Sequence, residues 1–205
     1  VLIKTTGLVT PGRYKLNITG SGVTRLPVHR RTLDLIVNSS IISIGTNREG
    51  ICDFNVNSTL YNTRQNLIFS NGTTINVQAF GPKTTGGYFY TFVNWSDGGD
   101  TAHNIQVNSP FTLTANYKVA YKLILNSIAG NTYGGGLFYD SAASLTFGVN
   151  SKIVNYSGQT YMFRGWSGSG TGSYTSPDST GNDTTVTLSL ANPIAETARW
   201  QLVVG

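Results

Sequence analysis

The sequence predicts an all-β chain of two tandem β-rich domains, β-grasp-like or sandwich-like, preceded by an N-terminal strand. Three observations carry that expectation. Apolar and polar residues alternate with period two, turn signals separate the alternating runs, and one order of elements occurs twice.

The alternating runs come first. Leu33, Leu35 and Val37 share one face of a run beginning at Thr32. Ile75, Val77 and Ala79 alternate with Asn76 and Gln78. Phe111, Leu113, Ala115 and Tyr117 alternate with Thr112, Thr114 and Asn116. Val186, Leu188 and Leu190 follow the same rule, and Ala198, Trp200, Leu202 and Val204 close the chain with it. Successive strand side chains point to opposite faces, so each run reads as a half-buried strand. Asn71-Gly72, Gly81-Pro82, Asp97-Gly98-Gly99 and Gly134-Gly135-Gly136 punctuate them as turns. Only the stretch around Leu60 to Ile68 leans towards a short helix or crossover.

The repeat sets the domain plan. Tyr14-Lys15-Leu16 opens one unit, and Tyr121-Lys122-Leu123 opens another. Phe92-Val93-Asn94-Trp95-Ser96-Asp97-Gly98 in the first matches Phe163-Arg164-Gly165-Trp166-Ser167-Gly168-Ser169-Gly170 in the second. Each is followed by a polar loop and a final strand. The expected division is residues 1–12 as N-terminal strand and hinge, 13–118 as the first β domain and 119–205 as the second. The first domain carries an extra stretch at roughly residues 20 to 70. Phe92, Trp95, Phe163 and Trp166 are expected to supply large apolar area to two small cores.

Composition narrows the habitat and the chemistry. Charged residues make up 11% of the 205, less than half the usual quarter. Ser, Thr, Asn and 24 Gly fill the gap, giving a polar but uncharged surface. Few carboxylates remain to titrate, which suits an acid habitat. The formal charge is +5, and Arg13, Lys15, Arg25, Arg30 and Arg31 all precede the first acid, Asp34. That run lies among Gly, Thr and Pro, without the interleaved aromatics of a nucleic-acid platform, so no nucleic-acid partner is expected. Cys52 is the single cysteine, so no internal disulfide forms, and a buried thiol is expected. No apolar run approaches the roughly 20 residues that span a bilayer. The chain begins at Val1, and a removed signal peptide is expected.

Seven Asn-x-Ser/Thr sequons point to N-linked glycans at Asn17, Asn38, Asn57, Asn71, Asn94, Asn155 and Asn182. With 19 Asn and 46 Ser plus Thr, chance supplies about four, so the count exceeds its background. No catalytic residue and no cofactor is expected. Two His (His29, His103) and two Glu (Glu49, Glu196) stand apart, with no Gly-x-Ser-x-Gly, His-Glu-x-x-His or P-loop pattern. No metal site is expected either: Asp97 and Asp100 frame a Gly-Gly turn, where carboxylates more often form turns than hold calcium.

The Phe-x-x-Trp-Ser-x-Gly pattern, its polar loop and its aromatic final strand resemble the cell-surface repeat modules of bacteria and archaea, the internalin B-type modules among them. The likeness covers about residues 73 to 118 and 145 to 200. It implies an extracellular stalk or coat role without catalysis.

Residues 1 to 10, VLIKTTGLVT, read as a strand that the first repeat does not need, since Pro11-Gly12 breaks it off before Tyr14. Such a segment either docks on its own domain or completes a sheet in a neighbouring molecule. Together with the Ser/Thr/Asn-rich, sequon-rich composition, it resembles the thread filaments of thermoacidophilic archaea. That likeness implies a secreted homopolymer linked by donor-strand complementation, with Val1, Leu2, Ile3, Thr5, Leu8 and Val9 as donor residues. It also implies isopeptide links, for which Lys4 between subunits and Lys15 with Asn116 within a domain are the candidates. Two other function classes stay open: a surface adhesin or envelope-layer module that binds glycans or another surface protein, and, with no recognised mechanism to support it, an extracellular enzyme.

Overall fold

A computed structural model describes residues 12–20 and 29–204, and the described residues form strands, turns and loops with no helix. β1 (Gly12–Gly20) and β2 (His29–Val37) make an antiparallel ribbon that pairs with no third strand among the described residues. β3 (Ser39–Thr46), β4 (Phe54–Val56), β5 (Thr59–Tyr61), β6 (Gln65–Ser70) and β7 (Thr74–Ala79) follow. Then come β8 (Lys83–Thr85), β9 (Tyr88–Trp95), β10 (Ala102–Gln106) and β11 (Phe111–Asn126). The rest are β12 (Thr132–Tyr133), β13 (Phe138–Asp140), β14 (Ser144–Val149), β15 (Ile153–Tyr156), β16 (Gln159–Ser169), β17 (Thr185–Ser189) and β18 (Ile194–Leu202). The stretch around Leu60 to Ile68 is therefore strand and turn, not helix, because it pairs along β4 and β3.

The described chain divides into two units. One comprises residues up to Gly81 together with Phe92–Tyr117, the other Pro82–Thr91 together with the residues from Lys118 onward. Residues 82–91 thus cluster with the second unit, where β8 pairs the start of β9 and Lys122 N–H donates to Gly87 C=O at 2.9 Å.

In the first unit one sheet runs β9–β11–β3–β6 and the other β10–β7–β4–β5. In the second, β16–β18–β11–β13 form one sheet, extended by β15 beyond β16, and β12–β14–β17 form the other. The two plans match strand for strand: β3, β4, β6, β7, β9, β10 and β11 correspond to β11, β12, β13, β14, β16, β17 and β18. In each, the opening strand lies parallel to the closing one: Ile42–Thr46 along Phe111–Ala115, and Leu123–Asn126 along Ile194–Thr197. The sandwich-like form is the one adopted.

This register moves the start of the first repeat. Tyr14-Lys15-Leu16 lies in the ribbon, whereas the true counterpart of Leu123–Leu125 is Ile42–Ile44 in β3. The triplet match with Tyr121-Lys122-Leu123 is a coincidence of three residues. The inserted element is the β1–β2 ribbon itself.

Alternation decides which faces are buried. In β7, Ile75, Val77 and Ala79 are buried and Thr74 and Asn76 exposed. In β11, Leu113, Ala115 and Tyr117 face in. Leu123, Phe147, Phe163, Trp166, Val186 and Ile194 come from both sheets of the second unit and form one core, so the sheets pack face to face. The pattern fails at two places. Leu33 in the ribbon is 52% exposed, and Val204 beyond β18 is 85% exposed. Neither has a second layer over it among the described residues.

The Phe-x-x-Trp spacing needs a backbone device, because residues three apart on a regular strand face opposite sides. Phe163 pairs with Trp200 but Gly165 with Arg199, a bulge that absorbs one residue and turns both Phe163 and Trp166 inward. Gly165 serves this kink with φ of 121°, and a Cβ there would fall 2.5 Å from Ser176 Oγ.

Candidate functional site

The expected donor residues Val1, Leu2, Ile3, Thr5, Leu8 and Val9, and Lys4 with them, lie outside the described residues. The seven sequon asparagines are all described and all exposed. Most other asparagines are exposed too, so exposure permits modification without selecting these seven. Six of the seven amides are hydrogen-bonded, as those of Asn47 and Asn104 outside the sequons also are. Asn17, Asn57, Asn71, Asn94, Asn155 and Asn182 each accept a hydrogen bond at Oδ1. For Asn57 and Asn182 the donors are the Asn76 N–H and the Lys152 ammonium, which only donate, so the amide orientation is fixed. This leaves Nδ2, the atom that carries an N-glycan, pointing away from these bonds. Asn38 and Asn57 sit at turns with φ of 42° and 48°.

The structure does not bring Lys15 and Asn116 together. Lys15 lies opposite Asp34 in the ribbon, and Asn116 Nδ2 donates to Asn94 Oδ1 at 3.0 Å across β9 and β11. The expectation paired them as first and last strands of one repeat, but β3, not β1, is the strand beside β11. A different lysine meets an amide: Lys152 Nζ lies 3.1 Å from Asn182 Oδ1. Asn182 is exposed, so that site lacks the apolar enclosure that keeps an amine neutral and nucleophilic.

Two polar clusters hold the loops that follow the buried tryptophans. In the first unit the Trp95 indole N–H donates to Thr101 C=O at 3.1 Å, and its ring meets His103 edge-on. His103 sits between two acceptors, Asp97 Oδ2 at 3.0 Å through Nε2 and Asp100 C=O at 2.9 Å through Nδ1. Burial pushes the Asp97 carboxyl up. The Gly99 N–H and the hydrogen bond and charge of His103 outweigh it and leave the pKa below the usual range. The carboxylate is thereby engaged as a turn former.

The second cluster has the same frame and a different centre. The Trp166 indole N–H donates to Asp183 C=O at 3.0 Å, and Trp166 N–H donates to Ser176 Oγ at 2.6 Å. Ser176 and Tyr174 hydroxyls both donate to Asp183 Oδ2. Burial, then this contact with Asp183, pushes the Tyr174 hydroxyl up. Beneath them lies Glu196, fully buried, with Oε1 accepting from Tyr174 N–H at 2.6 Å and Oε2 without a partner. Burial raises its carboxyl above the usual range, and the Tyr174 bond offsets only part of this. Register aligns Glu196, opposite Leu125, with Leu113, opposite Ile44, so a carboxyl stands where the first repeat has an aliphatic residue. Sequence reading missed this. The signal was present in the two final strands once they are aligned from their tryptophan-bearing partners.

Cys52 is buried and forms no disulfide. No group of three or more His, Cys, Asp or Glu side chains able to hold a metal ion occurs among the described residues. Nor is any described helix long and apolar enough to cross a membrane. The second unit has a cavity of about 420 Å³ beside β12, between Ile124–Leu125 and the Gly134–Gly136 run. No family model matches the chain, and no curated protein matches its sequence.

Proposed function

We propose that this chain is a structural subunit of an extracellular archaeal surface filament. Subunits join head to tail by donor-strand complementation through residues 1–10, and the surface carries N-linked glycans. The observation that carries the reading is the strand inventory. Both repeats draw their seven matched strands from residues 39–202, so neither plan calls on the strand-like segment VLIKTTGLVT. A strand offered to an open sheet edge gains main-chain hydrogen bonds, and a head-to-tail contact of this kind propagates without closing. The two polar clusters have a structural role in this reading: each holds a loop over a buried tryptophan.

The test is negative-stain microscopy of the full chain and of a variant lacking residues 1–10. Filaments from the full chain and none from the shortened one are expected. Filaments from the shortened variant overturn the donor-strand reading.

Intact mass under denaturing conditions checks the covalent part. In an isopeptide link a neutral Lys amine attacks an Asn Cγ, the new C–N bond forms and ammonia leaves, so each link removes about 17 Da. Glycan additions at exposed sequons are expected. An SDS-sensitive subunit of unmodified mass removes both the glycan and the isopeptide parts of the reading.

A further inference from the structure

The two units follow one plan, but the first keeps a strand that the second lacks. In the first unit β5 pairs along β4, from Phe54↔Tyr61 to Val56↔Thr59, and closes that end of its sheet. In the second unit β12, the counterpart of β4, pairs with β14 through Thr132↔Val149 and Tyr133↔Gly148. No strand pairs with its other edge among the described residues.

The neighbouring strand is cut short in the same place. β6 pairs with β3 from Ser39 to Ile44, whereas β13 pairs with β11 only from Ala120 to Lys122. Two further bonds, Gly136 N–H to Leu123 C=O at 2.8 Å and Leu123 N–H to Leu137 C=O at 3.4 Å, end that ladder. Beyond it, Leu125 is paired on its β18 side alone. The cavity of about 420 Å³ opens between these two bare edges, with Ile124, Leu125, Thr132 and Tyr133 along it.

The glycine run keeps the cavity open. A Cβ on Gly135 would fall 2.5 Å from Leu125 Cγ, so the loop runs tight against the strand without side chains to fill the space. An unpaired edge next to apolar side chains is a template for strand addition.

We infer that this edge of the second unit, at β12 and at Ile124–Leu125 of β11, receives residues 1–10 of a second copy of the chain. The inference rests on the filament reading and adds the receiving site to it. In an extended run Val1, Ile3, Thr5 and Val9 share one face, and Leu2, Lys4 and Leu8 lie on the other. With the first face turned into the cavity, Lys4 points away from it. Ten extended residues span about 33 Å, enough to run past both bare edges. Gly7 shares the inward face, where a close backbone approach to the glycine run favours it.

The test is disulfide trapping in the full chain with Cys52→Ser, so that the native thiol does not compete. Ile124→Cys is combined with a cysteine at each of positions 1 to 9 in turn, and the material is assembled, oxidised and run on a non-reducing gel. A reducible ladder of dimers and higher oligomers is expected for at least one pair. Leu60→Cys, on β5 of the first unit, is the comparison for the same scan.

A ladder with Leu60→Cys alone moves the receiving site and overturns this inference while the filament reading stands. A disulfide confined to monomers shows docking within one copy and also overturns it. Full chains that form no filaments at all overturn the filament reading itself. A second measurement needs no cysteine: amide exchange at Leu125 slows by about tenfold or more in filaments relative to the variant lacking residues 1–10. Unchanged exchange at Leu125 in intact filaments overturns the inference.

Discussion

Trp166→Ala is expected to destabilise the second unit by about 3–5 kcal/mol, the range for removing a fully buried tryptophan. Trp166 has no exposed surface and packs edge-on against Phe147 and Phe163, with ring centroids 5.0 Å and 5.5 Å away. Truncation opens a cavity between the two sheets and strips Asp183 C=O of its indole donor. The loop from Ser173 to Asp183 then loses the group it is folded around. Urea denaturation followed by circular dichroism gives the number. A loss under about 1 kcal/mol would mean the ring is not the keystone of that core.

Glu196→Gln is expected to act in the opposite direction at neutral pH. An unfolded glutamate ionises near pH 4.3, while the buried Glu196 carboxyl holds its proton to higher pH. Between those two points the native state binds more protons than the unfolded state, so stability falls as pH rises. The contribution is complete below the unfolded value and is lost as pH passes through the folded one. Glutamine keeps the acceptor for Tyr174 N–H and carries no charge. We expect a gain of about 1–3 kcal/mol at pH 7, where the amide removes the desolvation cost of ionising a buried carboxyl, and little change in strong acid, where both side chains are neutral. Paired melts at about pH 3.5 and about pH 7 measure it, and an equal effect at both excludes an ionisation origin. Asp97 moves the other way: its lowered pKa adds stability above the ordinary range that is lost as pH falls. Asp178 is lowered as well, by the backbone and then the side-chain hydrogen bonds of Thr180.

Strands were legible where alternation and burial coincide. Ile75, Val77 and Ala79, and Leu113, Ala115 and Tyr117, behave as their spacing predicts because a second sheet covers one face only. Leu202 and Val204 keep the period but stay exposed, since alternation records a strand and not what lies over it. The Phe-x-x-Trp motif marked both cores, although plain alternation places its two aromatics on opposite faces. In the second unit the bulge at Arg164 reconciles them, and the adjoining Gly165 was its trace in the sequence.

The repeat's order was legible but its start was not. Ile42 and Ile44 share no triplet with Leu123 and Leu125, and register, not identity, makes them equivalent. Residues 82–91 read as part of the first domain because they precede its last strands, yet the Lys122–Gly87 bond ties them to the second. Of the candidate sites, the sequons were visible as motifs. The carboxyl of Glu196 became notable only when its neighbours proved apolar.

The parallel pairing of opening and closing strands has a mechanical consequence. In the second unit the chain arrives along Leu123–Asn126 and departs along Ile194–Thr197, side by side and in the same direction. Tension on the two ends of such a unit drags these strands past each other lengthwise. Their hydrogen bonds are then loaded together in shear and must fail together, instead of unzipping one by one. Resistance to pulling is set by the rate of that rupture rather than by equilibrium stability. The first unit repeats the arrangement with Ile42–Thr46 and Phe111–Ala115. The described chain thus holds two such parallel pairs, one in each unit.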